Sequence, residues 1–495
     1  MCSLAVHLLY HLLNLHPEVL CERFFYQGAG LEPRSIESNR SLKEFDIIMF
    51  TISYENDYAN AVRMLIDAGI KPLAMDRKNK DPIIISGGII VSANPLPLKE
   101  VFDAFAIGEA EVLLPRIIES LLNSAFPLNK DRELAKSILA EIEGMYVPDM
   151  TQKVRRVFVR SLDEAPYPSS QIVVEEAPED YMPIFGRTFL LETSRGCPYA
   201  CRFCLLSYVT RPYRKRSLKR ILRLVDEGLL RTRSRKISII SSAPEPDLEE
   251  ILSYCVERNL EVSLPSIRID KMDTELAALM KRAGQRTLTI APEVADERLM
   301  EIINKEIDLA EVMNNLRIAY EAGFDQVKLY FMIGLPGERL EHMDKIGTLV
   351  RRIAELGFKK PRAIRLSINP LIPKPHTPFQ WLPMCRLDSI RLRLKRLMHS
   401  LKGMPQVDLE FLDPRWARIQ AILSRGDERL SPLLIEVARM GPSLSAWNTV
   451  LRRSGLLEEY CRELSPDEEL PWDFIDVGIS KSILRREYDK VLSLL

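Results

Sequence analysis

The chain has 495 residues, 46% of them hydrophobic and 28% charged, with 69 Lys and Arg against 69 Asp and Glu. Its length corresponds to about three domains of roughly 150 residues, and its composition excludes a disordered or fibrous chain. The zero formal net charge excludes a general electrostatic pull towards nucleic acid or an anionic membrane.

No apolar run reaches the ~18 residues that a membrane span requires. In the opening stretch, Val6, Leu9, Tyr10 and Leu13 recur at helical spacing. No basic run precedes them, and His7 and His11 interrupt them, so the stretch reads as an amphipathic helix and not a signal peptide. A cytoplasmic location is expected. Eight cysteines in a long chain without a secretion signal favour metal or catalytic thiols over a disulfide framework. Cys2, Cys21, Cys255, Cys385 and Cys461 are scattered, and each reads as a small buried apolar residue.

Residues 1–150 alternate strand-like runs (DIIMFTIS, PIIISGG, VFDAFAIG) with helical ones. One helix carries Tyr58, Ala61, Val62 and Leu65 on a single face and stops at Gly69. Continuous apolar strands between helices predict a parallel sheet buried on both faces. Residues 151–186 hold Pro166, Pro168, Pro178 and Pro183 among acidic residues and read as an extended linker. Residues 187–383 repeat a helix, a small residue with Gly, then a strand: Ala283-Gly284, Ala322-Gly323 and Leu356-Gly357 each stand before one. Six candidate strands (RTFLLETS, KISIIS, LEVSLPS, TLTIAPE, QVKLYFMIG, AIRLSIN) predict a partial (β/α)6 barrel, with chemistry beyond the C-terminal strand ends. The run from Arg211 to Lys236, dense in Arg and Lys, reads as a solvated helix face before it reads as a contact for an anionic ligand or RNA. Residues 384–495 are mainly helical, with Leu387, Ile390, Leu394, Leu397, Met398 and Leu401 at three- and four-residue steps.

The chemistry concentrates in ETSRGCPYACRFC, which closes the first barrel strand with Cys-x3-Cys-x2-Cys at 197, 201 and 204. Three thiolates on one short loop can hold three irons of a cubane and leave the fourth iron open, whereas an ordinary electron-transfer cluster takes four cysteines. A structural zinc site normally takes four Cys or His ligands in paired spacing, and no His lies nearby.

CPYACRFC resembles the signature of the radical S-adenosylmethionine (SAM) superfamily, including the aromatic Phe203 before the last Cys. The resemblance implies an enzyme with a [4Fe–4S] cluster on Cys197, Cys201 and Cys204. The open iron of such a cluster chelates the amino and carboxylate groups of SAM. One electron then splits the sulfonium, and a 5′-deoxyadenosyl radical abstracts hydrogen from a substrate. The family supplies the electron from a low-potential donor such as ferredoxin or flavodoxin. SIISSAP stands where many members carry Gly-Gly-Glu, absent here, and makes Ser241 and Ser242 candidates for the SAM amino group. APEVADERLMEIINK resembles the segment after the fourth strand and nominates Glu293 and Lys305 for the SAM polar groups. MIGLPGE resembles the turn that packs on adenine and nominates Gly334 and Gly337, with Pro336 and Glu338 beside them. In PLIPKPHTPFQW, Lys374, His376 and Gln380 face the substrate side or serve as structural donors.

The first region resembles the Rossmann-like cobalamin-binding domain that precedes the barrel in one radical SAM group. The resemblance implies that Thr51, Ser53, Gly87, Gly88, Gly108 and Glu109 ring a corrinoid. No Asp-x-His-x-x-Gly is present: the histidines are His7, His11, His16, His342, His376 and His399. The chain opens almost at the helix that follows the usual first strand of such domains, so that strand is absent from the sequence; a true start further upstream is the expectation, and a sheet that has lost the strand is the alternative.

The implied reaction is hydrogen abstraction from a small-molecule, lipid or peptide substrate. With cobalamin it is methylation at an unreactive carbon. Without cobalamin it is carbon–carbon bond formation, cyclisation or oxidation of a lipid, peptide or tetrapyrrole. PKPHTPFQW also resembles the barrel end of methylthiotransferases acting on tRNA. The further N-terminal cysteines and the C-terminal RNA-binding barrel of those enzymes have no counterpart here, which argues against nucleic acid. A purely redox or structural cluster module is the non-enzymatic alternative.

Overall fold

A computed structural model describes residues 3–124, 131–174, 186–242, 247–267, 272–305 and 307–495. Cys2, the Pro178 and Pro183 part of the expected linker, and Ala243-Pro244 of the Ser241 segment lie outside the described residues. Among the described residues, no helix is long and apolar enough to cross a membrane.

The first sheet is β1 (Ile47–Thr51), β2 (Ile83–Gly87), β3 (Ala104–Ala106) and β4 (Met145–Tyr146), in that order. β1 to β3 run parallel, with Ile47 opposite Ile83 and Ile85 opposite Ala104; β4 closes the sheet antiparallel. The run IIISG of β2 is buried because helices cover both faces of the sheet. Helix Tyr58–Asp67 buries Tyr58, Ala61, Val62 and Leu65, the face read from the sequence, and helix Leu4–Asn14 forms from the opening stretch.

The described part of the expected linker, residues 151–174, is docked. β5 (Val154–Arg155) pairs with the C-terminal β15 (Ile475–Asp476). Tyr167 and Gln171 bind the outer edge of β6 (Phe189–Glu192). The Gln171 amide takes both the N–H and the C=O of Leu190 at 2.9 and 2.8 Å, as a neighbouring strand would. The Tyr167 hydroxyl donates to Leu190 O and accepts from Glu192 N, each at 2.8 Å. These side chains satisfy backbone groups that an open edge would leave unpaired.

A short antiparallel ribbon, β7 (Ser194–Arg195) with β8 (Arg214–Lys215), closes the base of the cysteine loop. The barrel continues with β9 (Lys236–Ile240), β10 (Glu261–Ser263), β11 (Thr287–Glu293), β12 (Gln326–Ile333), β13 (Ile364–Pro370) and β14 (Val407–Phe411). β6, β9 and β10 pair in parallel, and β11 to β14 do likewise. A parallel bridge from Ile267 to Ile290 joins the two groups. The partial barrel therefore has seven strands instead of six, and it runs past residue 383. VDLEF is a half-exposed edge strand with Asp408 and Glu410 on one face, so it carries no apolar run to betray it. The rest of the C-terminal region is helical apart from β15.

Helix Leu218–Thr232 packs on β6 so closely that a Cβ on Gly228 would lie 2.4 Å from Phe189 Cζ. Gly228→Ala is expected to destabilise the protein by about 1–3 kcal/mol through overpacking, which outweighs the gain of up to about 1 kcal/mol in helix propensity. Urea unfolding measures the difference. Within Arg211–Lys236 the structure divides the basic residues. Lys219, Arg223, Arg231, Arg233 and Arg235 are exposed, as expected of a helix face, whereas Arg214 and Arg216 are buried in ion pairs. Of the scattered cysteines, Cys255 is buried, but Cys21, Cys385 and Cys461 are only half-buried.

Candidate functional site

Gly196 opens the cysteine loop at φ +83°, where a Cβ would meet the carbonyl oxygens of Thr210 and Pro212 at 2.8 Å. Only glycine lets the outgoing chain cross the returning one so closely. Cys197 and Cys201 are buried and Cys204 is half-buried, at the C-terminal end of β6. Burial pushes the Cys197 thiol up, and that of Cys201 up to about 12, against the opposing pull of Lys305. Among the described residues, no three Cys, His, Asp or Glu side chains converge closely enough to share one ion. A cubane takes one thiolate on each of three irons, and Cys197, Cys201 and Cys204 on one loop supply three free thiols.

Beside the thiols, Lys305 Nζ bonds Glu293 Oε1 at 2.8 Å, and both charges act on Cys201. Glu293 ends β11 at φ +68°, and burial raises its carboxyl above the usual range even with Lys305 beside it. Ser241, at the end of β9, shares a 2.7 Å hydroxyl contact with Ser194 immediately before the loop, and Ser242 follows it half-buried. These groups fit SAM: a carboxylate for its ammonium, an ammonium for its carboxylate, and hydroxyls between.

The other nominated residues are placed differently. A Cβ on Gly334 would meet Cys385 Cβ at 2.9 Å, and one on Gly337 would meet Leu495 Cδ2 at 2.8 Å, so both glycines face the chain itself. Glu338 fixes their turn: its carboxylate accepts from Gly334 N, from Leu335 N at 3.0 Å and from Arg393 Nε at 3.1 Å. Burial pushes its carboxyl up to about 7 in spite of these partners. Lys374 forms a buried ion pair with Glu55, which also accepts from Gln420 Nε2 at 2.8 Å. The His376 ring lies 3.1 Å from Ala93 O, and burial lowers its basicity to about 4. Gln380 accepts from His376 N and Trp472 Nε1 at 2.9 and 2.8 Å. These three are joints between barrel, first domain and C-terminal region.

Between the first sheet and the barrel lies a cavity of about 330 Å³. Thr51, Gly87, Gly88, Gly108 and Glu109 line it from one side, and Glu192, Arg195, Thr210 and Ile240 from the other. Ser53 is exposed and does not line it. A Cβ on Gly88 would lie 2.3 Å from Ile52 O, and one on Gly108 would lie 2.4 Å from Val157 O, so these glycines admit the chain's own backbone. Both oxygens of Glu109 are spent on arginines: Oε1 on Arg156 and Arg214 at 2.8 Å, Oε2 on Arg195 and Arg214 at 2.9 Å. A volume of this size matches the lower end of the ~300–1,000 Å³ typical of drug-sized ligands. Five of the six residues expected to ring a corrinoid, all but Ser53, line this one cavity. A larger cavity of about 560 Å³ runs along the outer edge of β1 and holds none of the candidate residues except Thr51.

Sequence reasoning missed the ion network around Arg195. That guanidinium also bonds Glu111 and Glu192 at 2.9 and 2.8 Å, and Arg216 joins Glu192 at 3.2 Å. The signal was present only as a basic run opposite an acidic GEAE.

Residues 5–148 match the family described as radical SAM proteins, N-terminal, and residues 191–350 match the radical SAM superfamily. The uncharacterised protein MJ0966 of Methanocaldococcus jannaschii is 30% identical over 485 residues, covering 97% of this chain and 95% of that protein. The uncharacterised methyltransferase PH0819 of Pyrococcus horikoshii is 26% identical over 279 residues, covering 54% of this chain and 57% of that one. The structure of the cobalamin-dependent S-adenosylmethionine radical enzyme OxsB, with aqua-cobalamin and S-adenosylmethionine bound, matches 90% of this chain and 71% of that one at TM-score 0.45 and 14% identity. With its thiol loop at the mouth of a seven-stranded partial barrel, the chain belongs to the radical SAM superfamily.

Proposed function

We propose that Cys197, Cys201 and Cys204 hold the [4Fe–4S] cluster, that Glu293 and Lys305 grip SAM beside it, and that the reaction is cobalamin-independent hydrogen abstraction from a largely apolar small molecule or lipid. When bound, the cluster supplies the electron that splits the sulfonium of SAM. The observation that carries the reading is the Glu293–Lys305 pair set against Cys201. A paired carboxylate and ammonium match the opposite charges of an amino acid headgroup, and Gly196 and the ribbon fix the thiols against them. The substrate occupies the cavity between the two sheets, where Leu4, Leu8, Ile89 and Val209 give an apolar wall and exclude water from the reacting carbon. Arg195 and Thr210 bring that cavity to both ends of the cysteine loop.

Anaerobic reconstitution with iron and sulfide, then dithionite and SAM, tests the reading. Release of 5′-deoxyadenosine without S-adenosylhomocysteine is expected, and a loaded cubane that leaves SAM intact would overturn it. The name of PH0819 favours a second reading, methyl transfer. That reading requires S-adenosylhomocysteine alongside 5′-deoxyadenosine. If it uses cobalamin, it also requires a corrin band retained after incubation with hydroxocobalamin.

Lys305→Met is expected to raise the KM for SAM roughly 10- to 100-fold, the equivalent of about 1.5–3 kcal/mol for a hydrogen bond to a charged group. The visible spectrum of the cluster should stay as in the parent chain. An unchanged KM would remove Lys305 from the SAM site.

A further inference from the structure

We infer that the C-terminal helix Lys481–Leu494 braces the cluster loop through Arg202 and Glu487, and that this pair sets how the cluster meets SAM. The inference rests on the reading of the three thiols as cluster ligands. Arg202 stands between Cys201 and Phe203-Cys204, and its side chain is only 6% exposed. Nη1 donates to Glu301 O and Ile302 O at 2.6 and 3.1 Å, while Nε and Nη2 donate to Glu487 Oε2 at 3.1 and 3.0 Å. Its backbone N–H donates to Ile303 O at 3.0 Å, and its carbonyl accepts from Phe379 N at 3.3 Å.

Each bond has a separate consequence. Glu301, Ile302 and Ile303 end the helix Glu297–Ile303; the Asn304 N–H caps Glu301 O at 3.1 Å, and the carbonyls at this end otherwise need donors from outside the helix. Arg202 supplies those donors and sets a cation at the negative end of the helix dipole. Asn304, left-handed at φ +52°, donates to Ala200 O at 2.8 Å from the same corner. Lys305 follows directly, so the loop that carries the thiols and the residue paired with Glu293 move as one piece. Glu487 is held in turn: the Tyr488 ring packs against Trp381 with centroids 5.3 Å apart and planes tilted by 51°, and Arg298 donates to Leu494 O.

The pair is also electrostatic. Glu487 neutralises a guanidinium enclosed within the thiol loop, and its carboxyl titrates below the usual range because Lys490 and Arg202 outweigh the effect of burial. Loss of the Glu487 charge would leave the cation uncompensated in a low-dielectric setting. An extra positive charge favours the reduced, more negative cluster and raises its midpoint potential. Arg202 and Glu487 are thus positioning residues, acting through the loop and through the field.

The test uses the full chain, reconstituted anaerobically as wild type, Glu487→Gln and Arg202→Lys. Circular dichroism controls for folding, and iron content, midpoint potential and the electron paramagnetic resonance change on adding SAM are the readouts. Glu487→Gln is expected to keep its iron but to shift the potential upward and to weaken the SAM-induced change several-fold. Arg202→Lys, which keeps the charge but loses the fork of donors, should hold the potential nearer to wild type while also losing much of the SAM-induced change. If both variants match a loaded wild type in potential and SAM response, the brace is wrong and the thiol reading stands. If the wild type takes up no cubane, both fall.

Discussion

Cys201→Ala is expected to reduce release of 5′-deoxyadenosine to background and to remove the visible absorption of the cluster. Two thiolates cannot hold three corners of a cubane, and Cys255, the one buried cysteine outside the loop among the described residues, packs in the barrel core behind β9 and β10. Cys255→Ala is therefore the matched control, removing a buried thiol of the same size, and it should leave iron content and SAM cleavage as they are. Equal losses in both variants would mean that the effect is one of packing and that the Cys-x3-Cys-x2-Cys loop is not the cluster site. Because burial keeps the metal-free Cys201 thiol protonated well above neutrality, its recruitment must release a proton, which metal–thiolate bonding drives.

The parts of this molecule that could be read in the sequence are those whose cause is local. The thiol loop is one: three ligands, a glycine and an aromatic residue lie within nine positions, and the chemistry fixes their spacing. The strands β11, β12 and β13 are another, since each follows a helix that stops at a glycine; Gly284 and Gly323 adopt the left-handed φ values of +85° and +96° that such stops require. β14 escaped although Val407, Leu409 and Phe411 alternate with Asp408 and Glu410 at strand period, because five residues directly after the helical pattern of 387–401 are too short a stretch to stand out from it. The docked linker escaped for a related reason. Gln171 acts as a strand neighbour through its side chain, and no periodicity announces that.

Charged residues were the least legible. Arg214 and Arg223 are indistinguishable as letters, yet one is buried on Glu109, 105 positions away, and the other is in water. Arg202 could not be told from any residue filling the gap between two cysteines, because its partners come from residues 301–302 and 487. The glycines after β2 and β3 show the converse problem. The sequence marks a close approach at Gly88 and Gly108, but it does not reveal whether the approaching group is a ligand or, as found, Ile52 and Val157 of the same chain.

Glu109→Gln is expected to destabilise the chain by about 3–5 kcal/mol at pH 7, the cost of breaking a buried ionic cluster by removing one partner. The substitution keeps the shape but leaves the Arg156, Arg195 and Arg214 guanidiniums, all largely buried, without their shared anion. Burial alone would push the Glu109 carboxyl up; the Arg214 hydrogen bonds and the charges of Arg195 and Arg156 win and hold it down at about 2. An unfolded glutamate titrates near ~4.3. The native state therefore binds fewer protons than the unfolded state between those values, and the contribution of Glu109 is complete above the unfolded value and is lost as pH falls towards about 2. Chemical denaturation at a series of pH values should show the gap between wild type and Glu109→Gln widest near neutrality and closing below about pH 4. A constant gap would mean that the amide merely packs badly. Arg195 stands two residues before Cys197 and bonds Glu109, Glu111 and Glu192 at once, so the anion that steadies the junction of the two sheets also fixes the base of the thiol loop. The same variant should accordingly lose cluster occupancy at temperatures where its secondary structure is still intact.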